Sequence, residues 1–229
     1  MPKKTQPNGL ALIPAHNEEA HIGAVAEAAK QHLAVLVVDD GSSDGTAQAA
    51  EAAGASVTRH EANQGKGAAL RSGFRAALEQ GCDFVITLDA DGQHDPAEMP
   101  AFLEAFEVTQ ADLIIGRRDF RQMPFIRRLS NTLGTVLFSW AVGRRIPDNQ
   151  SGYRLIGRRL LETEAVLQSA EAGFEFEVEM IALAIKEGLN IAWVPIKTIY
   201  RDEKSHIQPW KHLKKFILVS LRSGDMTKK

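Results

Sequence analysis

The chain has 229 residues, 44% of them hydrophobic, a formal net charge of −2 and one cysteine. That length suits a single compact core, the near-neutral charge excludes a surface built to hold nucleic acid, and Cys82 alone cannot form an internal disulfide. Met1 to Gly9 holds no apolar run of signal-peptide length, and no stretch is apolar for long enough to span a bilayer. The expected location is the cytoplasm.

In the first half, short β-branched runs alternate with alanine-rich segments of helical spacing, the pattern of βα units on a parallel sheet. Strands are predicted at Leu10 to Ile13, Val35 to Val38, Ser56 to Arg59, Phe84 to Leu88 and Leu113 to Ile115. Helices are predicted at Glu18 to His32, Asp44 to Ala53, Lys66 to Gln80 and Pro96 to Phe106, the last opened by the Asp95-Pro96 cap signal. An amphipathic segment follows from Pro124 to Val142, then a polar loop from Asp148 to Arg154, a helix from Phe174 to Lys186 and a strand from Ile191 to Ile196. A basic, aromatic tail ends the chain. The fold class is α/β: one domain with a mostly parallel central sheet, flanked by helices on right-handed crossovers.

Ligands of such sheets bind beyond the carboxyl ends of the strands, where Asn17, Asp39, Asp40, Asn63, Asp89 and Asp91 fall. Asp89-Ala90-Asp91-Gly92-Gln93-His94-Asp95 sets two carboxylates one residue apart after an apolar strand. Such a pair can hold a hard divalent cation that in turn binds a diphosphate, and a solvated Asp-Gly turn is the plain alternative. In Val37 to Thr46, Asp44 or Ser43 can cap the next helix, whereas Asp39 and Asp40 can accept hydrogen bonds from a nucleoside base or ribose. Leu12 to Glu19 forms a third strand-end turn, and Asn63 to Ala69 a fourth with glycines around Lys66.

Ile-Pro-Ala-His-Asn-Glu, Val-Val-Asp-Asp-Gly-Ser-Ser-Asp-Gly-Thr, Asn-Gln-Gly-Lys-Gly, Asp-Ala-Asp-Gly-Gln-His and Gln-Ser-Gly-Tyr-Arg occur in that order. In order and spacing the chain resembles the family 2 glycosyltransferases of GT-A (Rossmann-like) fold over about Leu10 to Pro209. Within them it is similar to the dolichol-phosphate or polyprenol-phosphate mannosyltransferase-like branch. The resemblance implies that Pro14, Ala15, Glu18 and Asp40 contact the nucleoside, with His16 standing where a tyrosine is commoner. It sets Asp89, Ala90, Asp91 and Gln93 around a Mg2+ or Mn2+ ion and the donor diphosphate, with Asp89, Asp91 and Gln93 as the metal's residues. Arg117 looks like the family's arginine facing the donor, beside a solvent-exposed Arg118. Arg201 and Lys204 resemble phosphate contacts of a loop that closes over the donor, a charged surface loop being the alternative. Asp148 is the candidate general base in the acceptor-side loop, and one of Glu175, Glu177 and Glu179 can face the site while the others sit at a helix start or surface.

The implied activity is metal-dependent transfer of a hexose from a nucleoside-diphosphate sugar, GDP-mannose or UDP-glucose, with inversion. Catalysis falls to Asp91, Arg117 and Asp148. No clear Glu-Asp base motif is present, and a phosphate monoester is already ionised near neutral pH, which favours a polyprenyl phosphate acceptor over a soluble or glycan hydroxyl. A nucleotidyltransferase is the alternative of another class. It expects a glycine-rich basic loop after the first strand, where Pro14-Ala15-His16-Asn17-Glu18 stands. Residues 10–116 are then the donor half, 117–209 the acceptor half and 210–229 a basic amphipathic tail. The Pro124 to Val142 segment and Trp210 to Leu218 suit peripheral attachment to the inner membrane face, or packing on the core or on a second subunit of an oligomer.

Overall fold

The computed structural model describes residues 7–123 and 125–197. Its strands are β1 (Gly9–Ala15), β2 (Ala34–Asp39), β3 (Ser56–Arg59), β4 (Phe84–Thr87), β5 (Leu113–Arg118), β6 (Arg154–Gly157) and β7 (Ile191–Ile196). They form one sheet in the order β3-β2-β1-β4-β6-β5-β7. Every pairing is parallel except those of β6, which runs antiparallel to β4 and to β5. The helices are α1 (Glu19–Lys30), α2 (Thr46–Ala52), α3 (Lys66–Glu79), α4 (Met99–Thr109), α5 (Phe125–Ala141), α6 (Arg158–Leu161), α7 (Glu164–Leu167) and α8 (Glu175–Lys186).

The central strands are apolar along their length because helices cover both sheet faces. Alternation along β1 sends Leu10 and Leu12 into one core with Leu70 and Phe74 of α3 and Phe176 of α8. Ala11 and Ile13 point into the other with Ile22 and Val25 of α1 and Phe102 of α4. Gly73 permits the first packing, since a Cβ there would lie 2.3 Å from a methyl of Leu12.

The predicted βα units are all present. The cap at Asp95 forms as expected, its side chain accepting from Ala97 N at 3.0 Å, and it opens a 3-10 turn at Pro96–Glu98 that leads into α4. β6 begins at Arg154, where the polar loop was expected to end, and it and the short α6 and α7 carry no periodic signal in the sequence. β6 positions the site: its Arg154 end lies beside Thr87 and Ile115. The loop before β6 therefore emerges at the carboxyl ends of β4 and β5, beside the acidic turn.

Candidate active site

The turns after β1 and β2 are stitched together. Asn17, in the left-handed region at φ 56°, donates its N–H to Ser42 Oγ at 2.9 Å and accepts from Ser43 N at 2.9 Å. Glu18 N donates to Thr46 Oγ1 at 2.8 Å. Asp39 is fully buried; Oδ1 accepts from Ser42 N at 2.9 Å, and Arg59 Nε forms an ion pair with Oδ2 at 3.2 Å without hydrogen-bond alignment. Asp40 reaches across to the turn after β3. Its Oδ1 accepts from His60 Nδ1 at 2.7 Å and Gln64 N at 3.0 Å, and its Oδ2 accepts from Gly65 N at 2.7 Å. That carboxylate fixes the loop that delivers Lys66 as the first residue of α3.

Lys66 Nζ stands 2.5 Å from Asp89 Oδ1 and 3.1 Å from Glu177 Oε2, with the Phe174 ring centre 4.9 Å away. Burial favours the neutral amine, but Asp89 and Glu177 outweigh it and hold the ammonium pKa above its ordinary value. Burial likewise pushes the Asp89 carboxyl up, and Lys66, then His94 and Arg118, hold it well below the usual carboxylate range. Asp89 N donates to His94 Nδ1 at 3.1 Å, which leaves the ring's own proton on Nε2; burial lowers the His94 pKa to about 4. Asp91 Oδ1 accepts from Gln93 N at 2.9 Å.

On the other side of the turn, Arg118 binds Asp148 through two hydrogen bonds, Nε to Oδ2 at 2.8 Å and a terminal nitrogen to Oδ1 at 2.9 Å. The backbone N–H groups of Arg118, at 3.3 Å, and Gln150, at 3.0 Å, add two more, and Asp148 is fully buried. The expected division between the two arginines is corrected here. Alternation along β5 leaves Arg117 exposed, whereas the Arg118 side chain, 16% exposed, turns inward to Asp148. Arg154 is buried and donates to three backbone carbonyls, Ser151 at 2.7 Å, Glu177 at 2.5 Å and Asn149 at 3.2 Å, tying the loop before β6 to the start of α8. Gly152 lets this loop approach, since a Cβ there would fall 2.9 Å from both Asp89 Oδ2 and Lys66 Nζ. Glu175 and Glu177 stand in the first turn of α8, as the helix-start expectation has it, but all three glutamates are buried, which corrects the surface alternative. Glu177 is linked to the acidic turn through Lys66, which pairs with both Glu177 and Asp89.

A cleft of about 200 Å3 brings together Pro14, Ala15, His16, Glu18, Asp40, Lys66, Asp89, Ala90 and Asp91, with Asn63, Gly65, Ala69 and Phe174 completing its wall. Asp39 lies buried behind it, Gln93 follows Asp91 in the same turn, and Arg117 and Asp148 are not in its wall. Arg201 and Lys204 lie outside the described residues. The sequence reading missed Arg118, Arg154, His94 and Phe174.

No group of three or more His, Cys, Asp or Glu side chains that could hold a metal occurs among the described residues. The donor set still fits Mg2+ or Mn2+, which commonly take one or two carboxylates and complete their shell with substrate phosphates and water. The Lys66 ammonium on Asp89 shows that this oxygen supports a cation, and Gly152 keeps the space beside it clear.

A mostly parallel sheet with this cleft at its strand ends, lined by Glu18, Asp40, Asp89 and Asp91 around Lys66, defines an α/β protein whose cleft lies at the usual ligand position of such folds. Residues 11–180 match the model of the family described as "Glycosyl transferase family 2"; the chain belongs to that family and is a glycosyltransferase. It is 32% identical over 207 residues to the undecaprenyl-phosphate mannosyltransferase of Micrococcus luteus, covering 84% of each chain. It is 30% identical over 216 residues to the UDP-N-acetylglucosamine–dolichyl-phosphate N-acetylglucosaminyltransferase of Methanococcus voltae, covering 83% of this chain and 85% of that one. Among solved structures it is similar in fold to glucosyl-3-phosphoglycerate synthase of Mycobacterium tuberculosis in complex with phosphoglyceric acid. The TM-score is 0.74 at 22% identity, with coverage of 97% of this chain and 81% of that one.

Proposed function

We propose that this glycosyltransferase moves a hexose from a nucleoside-diphosphate sugar to a polyprenyl phosphate at a membrane surface, with inversion at the anomeric carbon. The state of its carboxylates carries the reading. Asp40, Asp89, Asp148 and Glu177 are already paired with His60, Lys66, Arg118 and Lys66 respectively. A carboxylate so engaged suits holding charge rather than taking the proton of an acceptor hydroxyl. A phosphate monoester asks for no such base. The relatives named for undecaprenyl-phosphate and dolichyl-phosphate support the lipid side of the reading.

In this reading the nucleoside lies against Pro14, Ala15, His16 and Glu18, while Asp39 and Asp40 set the turns that frame it. Lys66 faces the donor diphosphate. Asp89, Asp91 and Gln93 hold a Mg2+ or Mn2+ ion, which when bound neutralises charge on the departing diphosphate. Arg118 faces the acceptor side, with Asp148 as a positioning residue that fixes its guanidinium. Arg117, Arg201 and Lys204 remain proposed phosphate contacts, and residues 10–116 and 117–209 the donor and acceptor halves.

Membrane attachment rests on α5. Phe125, Leu129, Leu133, Val136 and Trp140 recur along one helical stripe and are exposed, Phe125 by 77% and Trp140 by 76%. Arg128, Arg144 and Arg145 are exposed on and just after this helix, a combination that suits an anionic bilayer surface at its cytoplasmic face. Among the described residues no helix is long and apolar enough to cross a membrane.

The test supplies labelled GDP-mannose or UDP-glucose, Mn2+ and undecaprenyl phosphate. Label should enter the organic phase in a product that releases sugar in mild acid, and Asp91→Ala should abolish it. Label on a soluble hydroxyl acceptor instead would replace the acceptor, and release of labelled hexose 1-phosphate, the leaving group when the nucleoside monophosphate is transferred, would replace the reaction by nucleotidyl transfer.

A further inference from the structure

At the floor of the cleft one ammonium serves two carboxylates, Asp89 at 2.5 Å and Glu177 at 3.1 Å. The second oxygen of Glu177, Oε1, is buried and has no hydrogen-bond partner. A buried acceptor left unpaired is costly, so it persists where another state of the site makes use of it. The backbones carrying the two residues are fixed. Gly67 N donates to Ala172 O at 2.7 Å beside Lys66, and Arg154 holds the Glu177 carbonyl. The flexible part is the Lys66 side chain, and Gly152 leaves room beside its end.

We propose that Lys66 is an internal counter-ion that changes partner: it occupies Asp89 in the donor-free enzyme and yields that carboxylate to a divalent cation by moving fully onto Glu177, whose unpaired oxygen receives it. The proposal rests on the reading of Asp89 and Asp91 as metal-holding residues. Its physical basis is that an ammonium and a divalent cation repel at contact distance in a poorly solvated site, so both cannot share Asp89 Oδ1. Metal alone must therefore displace Lys66. A donor diphosphate arriving with the metal gives the displaced ammonium a second anion to meet, which couples metal binding to donor binding.

Electron paramagnetic resonance of free Mn2+, titrated into the full chain without nucleotide, tests this. Lys66→Met should bind Mn2+ about tenfold more tightly than wild type, the size of one charge-assisted hydrogen bond removed from competition. Glu177→Gln should bind it more weakly, because Lys66 then has no second carboxylate to move to. Arg71→Met, which removes a cation from the same helix but away from Asp89, should match wild type. The exchange is overturned if Lys66→Met binds Mn2+ no more tightly than wild type, or if Arg71→Met tightens binding equally. Should Lys66→Met melt before it can be titrated, Glu177→Gln decides alone, and Mn2+ affinity at or above wild type overturns the exchange. A repeat with GDP and UDP on Asp91→Asn separates the two levels. Nucleotide-dependent Mn2+ binding lost in that variant supports the metal reading on which the exchange rests, whereas binding identical to wild type removes both.

Discussion

Asp39 and Asp40, at the end of β2, are held largely by the chain's own backbone; Asp89, Asp148 and Glu177 are held by cations. Ser42 N secures Asp39, and Gln64 N and Gly65 N secure Asp40. Lys66 secures Asp89 and Glu177, and Arg118 secures Asp148. Backbone donors cannot leave without unmaking the loop, so the first group is framework. Ammonium and guanidinium groups on flexible side chains can trade one anion for another, so the second group can answer a charged ligand.

The contrast is sharpest in activity. Asp91→Ala should lower glycosyl transfer by about a thousandfold or more, the usual scale for loss of charge stabilisation at a leaving group. Initial rates beside a melting curve that stays at the wild-type value would check it. Arg118→Ala, which strands Asp148 fully buried, should cost about 3–5 kcal/mol in urea unfolding, while Arg117→Ala should stay within about 0.5 kcal/mol. Equal costs at the two positions would break the assignment of the inward arginine.

Acid should act through His94. Its pKa in the fold is about 4 against an ordinary 6.5, so between those values the unfolded chain binds a proton that the folded one does not. Stability of the metal-free protein should therefore fall as pH drops from 6.5 to about 4, by up to about 3 kcal/mol, and His94→Gln should flatten that slope. Asp89 acts lower: its folded pKa is depressed, so its contribution is complete above the ordinary carboxylate value and is lost below it. Asp40→Asn should cost about 1–3 kcal/mol, since one of the inward-pointing donors then meets an amide N–H. The smallest stability effect belongs to α5, where Trp140→Ser should change stability by under about 0.5 kcal/mol yet weaken flotation with anionic vesicles. Unchanged flotation would turn that exposed stripe toward a protein partner.

The first half of the chain was readable because its signals are local: β-branched runs, glycine turns and aspartates directly after strands, with Pro14, Asp40 and Asp91 lining one cleft. The rest depends on distant pairings. β6 offers only Arg-Leu-Ile-Gly, too short for a periodic signal, and is defined by strands far away in sequence. Arg117 and Arg118 are neighbours at the end of a strand buried on both faces, so no alternation of polarity reveals which one turns inward. The partnership of Lys66 with Asp89 and Glu177 joins three elements, and only the parallel order of β1, β4 and the helices beside them brings them together. Burial of Glu175 and Glu179 was equally hidden, because their alternation with apolar residues fits a half-exposed helix start as well as a covered one.

The most direct test of the central claim compares two acceptors that differ in one group, undecaprenyl phosphate and undecaprenol, each offered with labelled GDP-mannose or UDP-glucose and Mn2+. Transfer to the phosphate and none to the alcohol is expected, since the phosphate oxygen is ionised in advance and Asp89, Asp148 and Glu177 are committed to cations. Transfer to the alcohol at a comparable rate would contradict it, by requiring a base that those pairings do not supply.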